Sequence, residues 1–180
     1  MTVIDTLIDR NTCFADQHIH QSLSMMPKLK TMIIGCVDPR VDPAEILGLE
    51  PGEAIVIRNV GGRVTPSAMQ TLGLLGMVSP GTTSNSGRPW NLIVLHHTDC
   101  GIRRIENNAP DLLAGFFGIS KEQLDSKAVH DPRAAVMIDV AALKANPVMQ
   151  RRFVISGMVY NVDTGLVEVV VPPATSVMTE

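Results

Sequence analysis

Four short apolar runs, separated by helical stretches, constrain the fold of this chain more than any other feature of its sequence. The runs cover residues 31–35, 54–58, 91–96 and 153–160. They do not alternate apolar with polar residues, which is typical of parallel strands that are covered on both faces. Strands that alternate with helices predict an α/β domain with a mostly parallel sheet.

Helix-start signals mark the stretches between these strands. Thr65 is a candidate N-cap for a helix at Pro66–Val78, and Asp131 is one for a helix at Pro132–Ala145. A further helix is expected at the N-terminus, from about residue 3 to residue 20. Each expected helix lies between or before the predicted strands, as βαβ connectivity requires.

The end of the chain predicts an antiparallel strand at the edge of the sheet. The apolar run Leu166–Val171 follows a turn-rich link at residues 161–165, which favours a hairpin with the preceding strand. The length of 180 residues fits one domain, expected over residues 1–180. Ligands of such sheets bind beyond the carboxyl ends of the strands.

Composition excludes several classes of function. Fifteen Lys and Arg residues against 18 Asp and Glu give a formal charge of −3, without the basic footprint of a nucleic-acid binder. No apolar run approaches the roughly 18 residues of a membrane span, and no signal-peptide core is evident at the N-terminus. We therefore expect a cytoplasmic protein, and since three cysteines cannot all pair and a reducing cytosol disfavours disulfides, we expect thiolate chemistry.

Two polar clusters lie where predicted strands end. Cys36, Asp38 and Arg40 follow the run 31–35, and His97 and Cys100 follow the run 91–95. Either cluster alone would be interpreted as buried cysteines acting as small hydrophobic residues. Together they offer two thiolates and one imidazole, a ligand set of catalytic zinc that leaves a fourth position open.

The carboxylate and the guanidinium of the first cluster add a possible mechanism. Asp38 can either ligate the metal or accept a proton from a metal-bound water. Arg40 can hold that carboxylate through a bidentate pair.

These residues belong to a series of four motifs in order. The motifs are Cys36-x-Asp38-x-Arg40, the segment Leu-Gly-Leu-Glu-Pro-Gly-Glu-Ala at residues 47–54, Arg58-Asn59-x-Gly61-Gly62 and His97-x-x-Cys100-Gly101. With them the chain resembles the β-class carbonic anhydrases, a family that also includes carbonyl sulfide and carbon disulfide hydrolases. The similarity continues through residues 157–171 and covers most of the chain beyond about residue 31.

The resemblance implies a role for each matching residue. Cys36, His97 and Cys100 would bind Zn²⁺. Asp38 and Arg40 would form the catalytic dyad, with Asp38 as a possible fourth ligand in a closed state. Gly101 would bind substrate through its backbone N–H. The implied fold has four parallel strands plus one antiparallel edge strand flanked by helices, and an N-terminal helical arm, about residues 1–28, that embraces a partner chain.

The implied reaction is the reversible hydration of carbon dioxide to bicarbonate by zinc-bound hydroxide that the Asp–Arg dyad orients. The alternative on the same scaffold is hydrolysis of carbonyl sulfide or carbon disulfide, which these motifs do not distinguish. A third hypothesis is a non-catalytic zinc module. The expected partners are a small-molecule substrate and further copies of the chain as a homodimer or higher homo-oligomer, with no nucleic acid and no membrane.

Five other positions near these motifs receive mainly structural interpretations. Arg58 is interpreted as a structural pairing or interface residue, and Asp99 as a turn former or an acceptor behind the ligands. His96 should point away from His97 because side chains alternate along a strand. The Gly61-Gly62 pair indicates a tight turn. The remaining histidines, His18, His20 and His130, are expected in solvent, and Cys13 is expected to be chemically inert.

Overall fold

The computed structural model describes residues 1–17, 23–78 and 89–174. Five strands form one sheet: β1 (Thr31–Cys36), β2 (Ala54–Asn59), β3 (Trp90–His97), β4 (Phe153–Asn161) and β5 (Leu166–Val171). Their spatial order is β2-β1-β3-β4-β5. The first four are mutually parallel, and β5 pairs antiparallel with β4 at the edge. The expected α/β sheet of four parallel strands and one antiparallel edge strand is therefore confirmed.

Seven α-helices are present in the described part of the chain. They are α1 (Val3–Gln17), α2 (Pro43–Leu47), α3 (Pro66–Val78), α4 (Ile102–Asn108), α5 (Pro110–Phe117), α6 (Pro132–Ala145) and α7 (Pro147–Arg152). Short 3₁₀ turns lie at Pro39–Val41, Val60–Gly62 and Lys121–Lys127. No helix in the described residues is both long and apolar enough to cross a bilayer.

Two of the expected helices begin and end where the sequence signals place them. Thr65 Oγ1 accepts a hydrogen bond from the backbone N–H of Ala68 at 3.2 Å at the start of α3. The side chain of Asp131 accepts from the second and third residues of α6. The N-terminal helix is present as α1, and its expected continuation to residue 20 lies outside the described residues.

Helices α4 and α5 were not expected. Each is only seven or eight residues long, and Pro110 begins the second directly after the first. Sequence periodicity over so few residues does not distinguish a helix from a loop. The pair nevertheless builds its own apolar cluster, which includes Ile102, Leu113 and Phe117.

The main core lies between the sheet and α6. Seven residues of this core are at most 1% exposed: Met32 and Ile34 of β1, Leu92 and Val94 of β3, and Val136, Val140 and Leu143 of α6. β1 and β3 pair from Thr31 with Asn91 to Ile34 with Val94. Because the two strands are parallel and in this register, the residues that follow each strand leave the sheet at the same edge.

Candidate metal centre

The two sequence clusters meet at this edge of the sheet. Cys36 is the last residue of β1, His97 is the last residue of β3, and Cys100 follows in the turn before α4. One potential ligand atom from each of the three residues lies within 4.8 Å of the others. Cys36 and His97 are buried, and Cys100 is half-buried. The structure therefore brings together the three residues that the sequence analysis selected as metal ligands.

The imidazole of His97 is oriented for a ligand. Its Nδ1 lies 2.8 Å from the carbonyl oxygen of Thr98, so Nδ1 carries the proton and donates it there. That tautomer leaves a lone pair on Nε2. Among the described residues, Nε2 is the one buried side-chain nitrogen or oxygen without a hydrogen-bond partner. A bare imidazole nitrogen beside two thiols fits a zinc ion, for which two Cys and one His are known ligands.

The two cysteine thiols lie close together and influence each other's pKa. Their Sγ atoms are 3.8 Å apart. Hydrogen bonding from the Cys100 thiol lowers the pKa of Cys36 to about 4, against the opposing effect of burial. The same interaction raises the pKa of Cys100, and burial raises it further. A bound cation would favour the deprotonated form of both thiols.

Asp38 and Arg40 form a bidentate ion pair beside the thiols. Arg40 Nη2 donates to Asp38 Oδ2 at 2.7 Å, and Nε donates to Oδ1 at 3.1 Å. The backbone N–H of Arg40 also donates to Oδ1, at 2.9 Å. Hydrogen bonding from Arg40 holds the pKa of Asp38 at about 2, so the carboxylate is ionised at neutral pH. Asp38 is therefore oriented by Arg40.

Asp99 is a second carboxylate partner of Arg40. Its Oδ2 accepts from Arg40 Nη1 at 2.9 Å, and its backbone carbonyl accepts from Nη2 at 3.1 Å. The residue adopts a left-handed backbone with φ of 53°, which Asp tolerates better than most residues. The interpretation as a turn former is confirmed, whereas the carboxylate accepts from Arg40 and not from one of the three candidate metal ligands. Its partner was not predicted, since Arg40 lies 59 positions away.

The Gly61-Gly62 turn packs closely against the end of β1, next to Cys36. Both glycines have positive φ, 78° and 64°. A Cβ atom on Gly62 would lie 2.9 Å from the carbonyl carbon of Gly35 and 3.0 Å from the nitrogen of Cys36. The predicted tight turn is confirmed. Because Gly62 has no side chain, the turn can approach the backbone at the end of β1.

A cavity of about 450 Å³ opens directly over the site. Its wall includes Cys36, Asp38, Arg40, Cys100 and Gly101. Val60 also belongs to the wall of a neighbouring apolar cavity of about 490 Å³ between α4 and α5. A small molecule in the first cavity would therefore contact both a carboxylate and two thiol-bearing residues.

The remaining positions lie outside the cavity wall. His96 is buried, and its Nε2 lies 3.1 Å from the carbonyl of Gly62. Arg58 contacts the chain around Cys36 and Asp42. His130 is exposed, as expected; Cys13 is exposed as well, and its chemical inertness stays a prediction. The other two histidines, His18 and His20, lie outside the described residues.

Comparison with known families decides the relationship. A family profile described as "Carbonic anhydrase" matches residues 31–167 of the chain. The chain belongs to the carbonic anhydrase family. The matched segment contains all three residues of the candidate metal centre and the Asp38–Arg40 pair. The resemblance stated from the motifs is thereby confirmed at the level of the family.

The names of the relatives of this carbonic anhydrase family member state two different activities. "Beta-carbonic anhydrase 1" of Mycobacterium tuberculosis is 29% identical over 173 residues, which are 96% of this chain and 100% of that protein. "Carbon disulfide hydrolase" of an Acidianus species is 28% identical over 156 residues, covering 73% of this chain and 72% of that protein. The class is therefore the β class, within which carbon disulfide hydrolases also occur.

Solved structures give the same result for the fold. The carbonic anhydrase of Streptococcus mutans superposes with a TM-score of 0.72 at 32% identity, over 94% of this chain and 98% of that chain. A carbon disulfide hydrolase in its apo form superposes with a TM-score of 0.56 at 25% identity, over 92% of this chain and 88% of that chain. Both activities thus occur on the architecture described above.

Proposed function

We propose that this protein catalyses the reversible hydration of carbon dioxide to bicarbonate, with Zn²⁺ held by Cys36, His97 and Cys100. The observation that carries the proposal is the buried, unpartnered Nε2 of His97, which lies beside two thiols under a cavity. Three protein ligands leave a fourth position, as catalytic zinc requires. Membership of the carbonic anhydrase family supports the same reaction.

When bound, zinc supplies Lewis-acid chemistry that lowers the pKa of a coordinated water toward about 7. The chain's own contribution starts with Asp38, which accepts a hydrogen bond from the attacking water. Its Oδ2 accepts one hydrogen bond from Arg40 and so retains a lone pair for that purpose. Arg40 fixes the plane of the carboxylate and keeps it ionised. The backbone N–H of Gly101, at the cavity wall, would bind a substrate oxygen.

The second candidate reaction is hydrolysis of carbon disulfide, or of carbonyl sulfide, by the same residues. The carbon disulfide hydrolases among the relatives favour it. The apolar cavity that adjoins the site through Val60 also suits a neutral sulfur-containing substrate. Both reactions would use the same metal ligands and the same Asp38–Arg40 dyad. The choice between them therefore depends on which substrate the cavity admits.

The non-catalytic zinc module is the third hypothesis. A structural site is normally closed by four protein ligands. Here Asp38, the candidate for that fourth ligand, is engaged with Arg40 through both of its oxygens. This pairing favours an open site and therefore an enzyme.

The proposed active form is a homodimer or a higher oligomer of a single domain spanning residues 1–180. Helix α1 exposes Val3, Ile4, Leu7 and Ile8, each more than half accessible, which suits an arm of about residues 1–28 that packs on a partner. The three cysteines of the chain are all free, and reduced thiols are typical of the proposed cytoplasmic location.

Stopped-flow measurement of carbon dioxide hydration by the zinc-loaded protein tests the proposal. The measurement should run from about pH 6.5 to 9, a range that spans the expected pKa of zinc-coordinated water near 7. We expect rapid turnover that rises with pH. Negligible turnover at every pH, with one zinc per chain confirmed, would contradict carbon dioxide as the substrate.

The same preparation distinguishes the alternatives. Release of hydrogen sulfide from carbon disulfide or carbonyl sulfide, without carbon dioxide hydration, would assign the second reaction. If zinc is bound and none of these reactions occurs, the non-catalytic zinc module is the remaining hypothesis.

A further inference from the structure

Arg58 contacts the backbone that carries the first metal ligand and the dyad carboxylate. Nε donates to the carbonyl oxygen of Cys36 at 2.8 Å, and Nη2 donates to the carbonyl oxygen of Asp38 at 2.8 Å. Nη1 pairs with the carboxylate of Asp42. One side chain from β2 thus binds three points of the segment from Cys36 to Asp42, which contains Arg40.

These contacts lie where β1 is paired on one side only, since its pairing with β2 continues as far as Cys36 and Asn59. Pairing between β1 and β3 ends at Ile34 and Val94, two residues before Cys36. After Cys36, the N–H of Val37 still donates to the carbonyl of Asn59, and the chain then turns into the 3₁₀ segment. The carbonyl of Asp38 also accepts from the backbone N–H of Val41 at 3.2 Å, and the Arg58 guanidinium adds two donors in a fixed geometry that hold this carbonyl and the carbonyl of Cys36.

Asp42 holds the other end of this arrangement. Its Oδ1 caps α2 by accepting from the N–H of Ala44 at 2.9 Å, while its Oδ2 accepts from Arg58. Arg58 is only about one-quarter exposed, and hydrogen bonds from a partly buried cation are stronger than those between neutral groups. The segment is thus anchored to β2 at its start and to α2 at its end.

We infer that Arg58 is a positioning residue that fixes the peptide carbonyls of Cys36 and Asp38 and thereby orients one metal ligand and the dyad carboxylate. The inference rests on the proposed function, and it extends the earlier interpretation of Arg58 as a pairing residue. Arg58 lies outside the wall of the site cavity and acts only through the backbone. Groups that orient ligands in this way typically contribute 10–100-fold to metal affinity or activity.

The test compares Arg58→Met with the wild type, starting from zinc-loaded protein. The dissociation constant for zinc is measured by competition with a chromophoric chelator, and the cobalt-substituted forms are compared by their visible absorption spectra. We expect zinc to bind about 10–100-fold more weakly and the cobalt bands to shift. In the zinc-saturated variant kcat should fall more than KM rises, because the carboxylate is misplaced.

Arg133→Met is the matched control, because Arg133 pairs with Glu168 across α6 and β5, away from the site. It should leave zinc affinity and the cobalt spectrum unchanged. Arg58→Lys keeps the positive charge but lacks the planar array of donors of a guanidinium, so we expect an intermediate loss of affinity. If Arg58→Met does not fold, Arg58→Lys and Asp42→Asn decide the question.

A folded Arg58→Met that binds zinc within twofold of the wild type, with the same cobalt spectrum, would overturn the inference. An equal loss in Arg133→Met would overturn it too, and so would wild-type affinity in both Arg58→Lys and Asp42→Asn. These readouts do not require turnover. Failure of the wild type to hydrate carbon dioxide would contradict the proposed function while leaving the affinity comparison valid.

Discussion

Within the described residues, two bidentate Asp–Arg pairs lie in very different surroundings. Asp38 and Arg40 lie two positions apart at the site cavity, with side chains 15% and 51% exposed. Asp139 of α6 and Arg63, which follows the Gly61-Gly62 turn, lie 76 positions apart, and both side chains are 2% exposed. The same chemical pair therefore occurs once at a surface that a ligand can reach and once inside the core.

The buried pair is fully embedded in other hydrogen bonds. Asp139 Oδ2 accepts from Arg63 Nε at 2.8 Å and from the N–H of Val64 at 2.9 Å, and Arg63 Nη2 donates to the carbonyl of Lys127 at 2.9 Å. His96 Nε2 is 3.5 Å from the same oxygen. None of these groups can change partner without leaving a buried charge uncompensated. The Asp38–Arg40 pair can exchange partners, which suits its proposed role as a dyad whose carboxylate interacts with substrate.

Arg63→Met should have the largest effect on stability. It leaves the Asp139 carboxylate buried without its main partner, and breaking a buried pair in this way costs about 3–5 kcal/mol. Denaturant unfolding of the zinc-loaded protein, followed by circular dichroism, measures the loss.

The control for this variant is Arg133→Met, which breaks the exposed Arg133–Glu168 pair. We expect it to lower the unfolding free energy by less than about 1 kcal/mol. A double variant, Arg63→Met with Asp139→Leu, removes both charges and should recover most of the lost stability. A loss below about 1 kcal/mol in Arg63→Met alone would show that the core pair is less isolated from water than its burial indicates.

Asp38→Asn should have the next largest effect, and it should fall on catalysis. Asn keeps the size of the side chain but cannot accept a proton as a carboxylate does, so we expect turnover to fall by about 100-fold or more. Zinc content, measured by atomic emission, should stay at one per chain, and the unfolding midpoint should barely move because the pair is accessible to water.

Cys36→Ser is the contrasting variant, since it removes a proposed ligand and should lose zinc as well as activity. Full activity in Asp38→Asn would eliminate the dyad mechanism. Loss of zinc in Asp38→Asn would instead indicate that this carboxylate is itself a ligand in the working protein.

The comparison also shows which contacts can be predicted from sequence. Cys36, His97 and Cys100 each follow a strong strand signal, and parallel strands bring such positions to one edge. The partnership of Arg63 with Asp139 has no local signal, because it joins a turn to a helix far along the chain. One clue was present: Asp139 lies on the apolar face of α6, beside Val136 and Val140. A charge at such a position requires a buried partner, although sequence does not identify it.

The pKa of each carboxylate is lowered to about 2, and the salt sensitivity of the resulting pH dependence of stability should separate the two pairs. For Asp139, burial acts to raise the pKa, and hydrogen bonds from His96 and Arg63 outweigh it. A lowered pKa contributes stability that is complete above the ordinary value of 3.8 and is lost as pH falls through about 2. That contribution is about 2 kcal/mol for a group so deeply buried.

The measurement compares the unfolding free energy of the wild type with that of the Arg63→Met/Asp139→Leu double variant between pH 6 and pH 2. In the more acidic half of this range, the unfolding free energy of the wild type should fall by about 2 kcal/mol relative to that of the double variant. In low salt, the comparison of the wild type with Asp38→Asn should shift in the same direction, and high salt should shrink that shift because ions and solvent screen an exposed pair. Equal salt sensitivity in the two comparisons would refute the distinction between the pairs.

Asp99→Asn should have the smallest effect, because it weakens the exposed pair without removing it. Arg40 would lose a carboxylate at Nη1 but keep its two bonds to Asp38 and its bond to the carbonyl of residue 99. With its side chain 74% exposed, Asp99 should change kcat/KM by about fivefold at most and leave the unfolding midpoint unchanged. A loss as large as that of Asp38→Asn would mean that Arg40 is positioned mainly by Asp99, so that three residues rather than two would form the catalytic unit.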